Sequence, residues 1–199
     1  MKPQKTLVVL YPGCILWEIL PAYNIISQFG PIEIASPDGS SISDETNLGI
    51  SAHVTYEKAQ NSSDSYHAVL IPGGDIEYCA TQPETINLLK SLRATNQLKA
   101  IGGICSGAIV CGMAGILEQK RCTHTMNPAT VDREEFREVF DIIDSSMATS
   151  MFVDEDCVID GNVITAKPNY SIKFGSEIAK ILYPNLKEQI ETVAASMSK

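Results

Sequence analysis

A cysteine in a run of small residues, where an apolar segment gives way to a helical one, is the arrangement that nucleophilic chemistry asks for. Cys105 stands in Gly102-Gly103-Ile104-Cys105-Ser106-Gly107-Ala108. Small residues at 102, 103, 107 and 108 permit the sharp strand-to-helix elbow that presents a nucleophile. A side chain there meets unpaired N–H groups and the positive end of a helix dipole, so the thiol pKa is expected to fall below its ordinary value of about 8.5. The alternative on the local pattern is a buried cysteine packed under a glycine-rich turn. Two further turns, Tyr11-Pro12-Gly13 and Pro72-Gly73-Gly74, also close apolar runs. In an open parallel sheet such strand ends converge on the ligand site.

The elements that would position these turns follow from hydrophobic period. Residues 6–10, 32–35, 68–71 and 100–104 read as strands, with weak strand character at 51–55, and 122–125 as a short one. Helical spacing runs over 15–29, 83–98, 108–114, 132–140, 172–182 and 186–195, and Gly30-Pro31 stops the first of these. Residues 36–47, rich in Ser, Asp and Gly, read as turns, and 158–165 as a hairpin around Asp160-Gly161. Alternation of strand and helix predicts an α/β fold, a doubly wound and mostly parallel sheet with helices on both faces. There is no repeat and no linker, so residues 1–199 are expected to form a single domain.

Composition narrows the function classes. The chain has 199 residues, 44% of them hydrophobic, enough for a sizeable core. A formal charge of −9 with no basic cluster argues against nucleic acid and anionic lipid. No run approaches 18 apolar residues and the start carries no signal-like segment, so the expectation is a cytoplasmic protein with no membrane span. Six cysteines (Cys14, Cys79, Cys105, Cys111, Cys122 and Cys157) contain no Cys-x-x-Cys pair and no neighbouring His couple. Disulfides and a metal site are therefore not expected. His53 and His67 read as structural, as do the cysteines other than Cys105, although the turn holding Cys14 borders the expected site.

Residues 6–18, Val69-Leu70-Ile71-Pro72-Gly73-Gly74, residues 100–108 and the hairpin Val158-Ile159-Asp160-Gly161-Asn162-Val163-Ile164-Thr165 together resemble the ThiJ/PfpI superfamily. That superfamily includes the parkinsonism-associated deglycase, PfpI-type proteases, glyoxalase III-like enzymes and isonitrile hydratases. The resemblance spans nearly the whole chain and implies a flavodoxin-like, class I glutamine amidotransferase-like fold. It implies Cys105 as nucleophile, Glu18 as the acid that contacts it, and the N–H groups of Gly74 and Ser106 as an oxyanion hole. His124, nineteen positions after Cys105, matches a histidine of the deglycase branch through a one-residue gap. Glu18 lies between Trp17 and the apolar pair Ile19-Leu20, where desolvation would raise its pKa and let a protonated carboxyl donate to a thiolate.

Ser106 departs from the His that follows the cysteine in PfpI-type proteases, which disfavours proteolysis. An acid at 18 and a hydroxyl at 106 partly fit the isonitrile hydratases, and Ala166-Lys167-Pro168-Asn169-Tyr170 departs from the glycine-rich loop of the deglycase branch. Three functions are thus in view. The first is a cysteine-dependent enzyme acting on small electrophilic carbonyl compounds such as methylglyoxal, with no metal or organic cofactor. The second is an isonitrile hydratase-like lyase. The third is a redox-sensing or stress-protective protein whose cysteine oxidises without turnover. The resemblance also implies a small-molecule substrate and a homodimer.

Overall fold

The computed structural model describes residues 3–44 and 46–197. In chain order the strands and helices are β1 (Lys5–Val9), α1 (Leu20–Ser27), β2 (Ile32–Ser36), β3 (Ile42–Ser43), β4 (Gly49–Ile50) and β5 (Val54–Thr55). Then come α2 (Tyr56–Asn61), β6 (Tyr66–Ile71), α3 (Ile76–Thr81), α4 (Glu84–Ala94), β7 (Ala100–Ile104), α5 (Gly107–Met113) and β8 (Arg121–Cys122). The chain ends with α6 (Arg137–Ser146), β9 (Met151–Phe152), β10 (Cys157–Asp160), β11 (Val163–Ala166), α7 (Ser171–Leu182) and α8 (Lys187–Ser196).

Seven strands form one sheet in the order β10-β11-β7-β6-β1-β2-β5. Every pair is parallel except β10 with β11. The apolar runs in β1, β6 and β7 are buried on both faces, as parallel strands under two helical layers must be. Helix α7 packs on β7 and β11 with α1 and α8 beside it, while α5 packs on β6 and β7 with α4 and α6 beside it. The two glycines of β7 divide between these layers. A Cβ on Gly102 would sit 2.6 Å from Ile178 of α7, and one on Gly103 would sit 2.8 Å from the Gly107 carbonyl of α5. Their absence lets both layers close on the strand that carries Cys105.

The single helix expected over 15–29 is instead a 3-10 turn, Leu16–Glu18, followed by α1 from Leu20. Pro21 decides this: a helix begun at 15 would place its ring against the carbonyl of residue 17 and lose a hydrogen bond, whereas in a first turn the missing N–H costs nothing. Residues 36–47, expected as turns, contribute β3 to a short antiparallel pairing with β4. Two short helices were not anticipated. Thr55 caps α2 by accepting from the Lys58 N–H at 3.1 Å, and Asp75 caps α3 by accepting from the Tyr78 N–H at 3.0 Å. The helix expected over 132–140 starts only at Arg137, because Asp132 accepts from the Glu134 N–H at 2.9 Å and holds a turn ahead of it. The strand expected over 122–125 is the two-residue β8, paired in parallel with β9. Among the described residues, no helix is long and apolar enough to cross a membrane.

Candidate active site

Three turns at the carboxyl ends of β1, β6 and β7 meet, as the topology requires. The Ile15 N–H donates to the Gly73 carbonyl at 2.8 Å and the Asp75 N–H to the Gly13 carbonyl at 3.1 Å, joining the first two turns. Buried Tyr11 donates its hydroxyl to the Pro72 carbonyl at 3.0 Å. The third turn nests against them so tightly that a Cβ on Gly107 would lie 2.4 Å from the Ile71 carbonyl oxygen. Gly74 has φ +133°, a backbone angle that side chains disfavour.

Cys105 sits at the elbow with φ +57°, a left-handed conformation that costs a non-glycine residue free energy and aims its side chain at the convergence of the turns. Its sulfur packs against Gly73, where a Cβ would lie only 2.9 Å from Sγ and 2.5 Å from Glu18 Oε2. Glu18, 1% exposed, accepts from the Gly73 N–H at 3.0 Å and from the Cys105 thiol. Burial raises the Glu18 pKa, opposed by the thiol and the Gly73 N–H that donate to it. The 3-10 turn thus matters to the chemistry: it delivers the carboxyl beneath the elbow.

The expectation of a lowered thiol pKa is not what the site produces. Burial first, and then the charge of Glu18, push Cys105 up to about 12. The Ser106 N–H and the Thr125 hydroxyl donate to the sulfur and act the other way without prevailing. The proton therefore rests on sulfur and Glu18 accepts it, the reverse of a protonated Glu18 donating to a thiolate. The helix end is outweighed because burial disfavours the thiolate, and repulsion from the neighbouring Glu18 carboxylate adds to it.

Both N–H groups expected to form an oxyanion hole lie at the site, and both are engaged. The Gly74 N–H donates to Ser106 Oγ at 2.7 Å, and that hydroxyl in turn donates to the Gly74 carbonyl at 2.9 Å. The Ser106 N–H faces the sulfur. His124 does not join Cys105: it lines a different cavity, its ring against Phe152 with centroids 4.7 Å apart. The residue that reaches Cys105 from that segment is Thr125. Thr125 stands twenty positions after the cysteine, next to the residue that the resemblance pointed to. The other two histidines serve the backbone. His53 Nδ1 accepts from the Ile34 N–H at 3.1 Å and His67 Nδ1 from the Lys5 N–H at 3.2 Å.

Above Cys105 opens a cleft of about 580 Å³, within the range of small-molecule sites. Its walls include Cys14, Asp44, Asp75, Met126, Phe136 and Val139. No lysine or arginine lines it among the described residues, and hydrogen bonds from Thr46 hold the Asp44 carboxyl below the usual carboxylate range. No group of three or more His, Cys, Asp or Glu suited to a metal ion occurs among the described residues.

The model of the DJ-1/PfpI family matches residues 4–181. The chain belongs to the DJ-1/PfpI family. It is 34% identical over 137 residues to the uncharacterized protein MJ0967 of Methanocaldococcus jannaschii, across 66% of this chain and 60% of that protein. It is 37% identical over 62 residues to protein DJ-1 homolog D of Arabidopsis thaliana, across 31% of this chain and 16% of that protein. This member of the family thus spans less than two thirds of the length of either relative. Its fold is that of Drosophila melanogaster DJ-1beta, with a TM-score of 0.77 at 22% identity over 98% of this chain and 97% of the other. A cysteine-to-alanine mutant of the DJ-1 superfamily protein STM1931 from Salmonella typhimurium gives a TM-score of 0.76 at 22% identity over 96% and 97%. The flavodoxin-like architecture with its mostly parallel sheet is therefore shared across the DJ-1/PfpI family, this chain included.

Proposed function

We propose that the chain is a cysteine-dependent enzyme acting on small electrophilic carbonyl compounds, with methylglyoxal as the representative substrate. The observation that carries this reading is the buried Cys105–Glu18 pair, thiol donating to carboxylate, at the floor of a cleft open to small molecules. A thiol with a base already in hydrogen-bond contact needs no free thiolate. As sulfur attacks the aldehyde carbon, an S–C bond forms, the thiol proton passes to Glu18, and the carbonyl electrons move to oxygen.

The oxyanion would be received by the N–H groups of Gly74 and Ser106 once its approach displaces Ser106 Oγ from the Gly74 N–H. In the resulting hemithioacetal a proton leaves the former aldehyde carbon and another is delivered to the neighbouring carbon. That carbon becomes the alcohol and the first becomes a thioester. Water then cleaves the thioester to lactate and restores the thiol. The oxidation of one carbon is balanced by reduction of the other, so no external oxidant or reductant is required. A cleft with two aspartates and no lysine or arginine among its described walls favours such neutral substrates over anionic ones.

The Ser106 hydroxyl beside Cys105 also supports a second reading, hydration of an isonitrile with sulfur attacking carbon and Glu18 returning the proton. One assay separates the two. Methylglyoxal is expected to give lactate without glutathione and Cys105→Ala to abolish it. Product only from an isonitrile would select the second reading, and product from neither would leave both without support. The homodimer and the cytoplasmic setting belong to the same proposal.

A further inference from the structure

The cleft over Cys105 holds about 580 Å³. A molecule of five heavy atoms such as methylglyoxal displaces only a few waters, at about 30 Å³ each, and leaves most of that space wet. The apolar side chains Ile15, Ile76, Met126, Phe136 and Val139 share its walls. Phe136 is 40% exposed there, so its ring is open to an occupant. Apolar surface gathered beside a nucleophile gains free energy when an apolar group covers it.

Hydrogen bonds hold Phe136 in place at the threshold of α6. Its N–H donates to the Asp132 carbonyl at 3.2 Å, and its carbonyl accepts from the Phe140 N–H at 3.0 Å. Asp132 Oδ1 fixes the turn ahead of it by accepting from the N–H groups of Glu134 at 2.9 Å and Glu135 at 3.4 Å. Val139 follows in the first turn of α6, and Ile76 opens α3, which packs against α6. The apolar wall is therefore built before anything binds, and filling it costs little ordering.

Resting on the carbonyl chemistry assigned to Cys105 under the proposed function, we infer that the substrate class is α-oxoaldehydes bearing an apolar chain well beyond methyl, and that Phe136 sets this preference. The chain would lie against the apolar wall while the aldehyde carbon meets the thiol. Burial of each methylene is worth about threefold in an equilibrium constant. Binding energy gained away from the reacting carbons can lower the barrier as well as KM. The chemistry is otherwise unchanged: the same two carbons exchange oxidation states, and water releases the 2-hydroxy acid of matching length.

Two homologous series test this. The first measures kcat/KM for alkylglyoxals from methyl to pentyl. The second measures how 2-alkanones from acetone to 2-heptanone, which undergo no turnover, protect Cys105 from iodoacetamide, read by peptide mapping. Both kcat/KM and the affinity of protection are expected to rise about threefold per methylene. In Phe136→Ala both slopes are expected to drop to about twofold or less, and in Phe136→Leu to recover. Protection that does not depend on chain length, or flat kcat/KM among glyoxals that are converted, would overturn the inference, and slopes unaltered in Phe136→Ala would overturn the part given to Phe136. If no glyoxal is converted while protection still rises with chain length, the carbonyl chemistry fails and the apolar preference of the cleft stands. Methylglyoxal converted with flat protection sinks the preference alone. The series on the parent protein decide the matter should a variant not fold.

Discussion

Near neutrality the thiol of Cys105 keeps its proton, because burial and then the neighbouring Glu18 push it up to about 12. Burial raises both groups; Glu18 raises the thiol further, while the hydrogen bond from Cys105 lowers the carboxyl. Glu18→Gln removes the anion and so must lower the thiol pKa from about 12. Thiolate would then accumulate at lower pH. Iodoacetamide labelling of Cys105, followed against pH by peptide mapping, is expected to rise at a lower pH in Glu18→Gln than in the parent. Turnover is expected to move the opposite way, falling on the order of 10²-fold with loss of the base. A variant in which labelling and turnover fell together would show that Glu18 does no more than hold the elbow in shape.

The elbow itself stores strain. At φ +57° a side chain crowds its own backbone, a cost of about 2 kcal/mol that glycine escapes. Cys105→Gly and Cys105→Ala both remove the thiol, but only the first removes the strain. Urea unfolding is expected to find the glycine variant the more stable by about 1 kcal/mol, despite the greater unfolded-state entropy of glycine. Equal stabilities would mean that the turn is relaxed and that its geometry needs no support from β7 and α5. Similar reasoning explains why the 3-10 turn at Leu16–Glu18 escaped the hydrophobic pattern. Periodicity over 15–29 records which residues face inward, and both a 3-10 turn and an α-helix can bury Leu16.

Across the molecule, the two helical layers clamp the sheet through contacts that admit no extra atoms. At the crossing of α1 and α7, a Cβ on Gly175 would lie 2.4 Å from the Cα of Ala22. Backbone cannot yield as a side chain would. Gly175→Val is expected to destabilise by about 3 kcal/mol and to lower Tm by roughly 5–10 °C in calorimetry. This crossing lies on the face of the sheet opposite α5, so Cys105 labelling below the transition is expected to be unchanged. Altered labelling would reveal that the packing of α1 sets the position of Glu18, which lies two residues before it.

The architecture was legible because it depends on patterns local in sequence. Doubly buried strands such as Val69-Leu70-Ile71, the Asp160-Gly161 turn and the glycines flanking Cys105 each require particular residue types wherever they occur. The strand-end turns therefore pointed to the place where Cys105 lies. What tertiary structure alone decided is the energetics and the company of that cysteine. Its protonation depends first on its own burial and then on Glu18 beside it, both fixed by distant packing and not by the residues on either side of 105. The neighbour drawn from residues 124 and 125 depends on which way one short segment turns as it leaves β8. Adjacent side chains on an extended backbone point to opposite sides. Thr125 accordingly reaches the thiol, and His124 turns away into a cavity of its own.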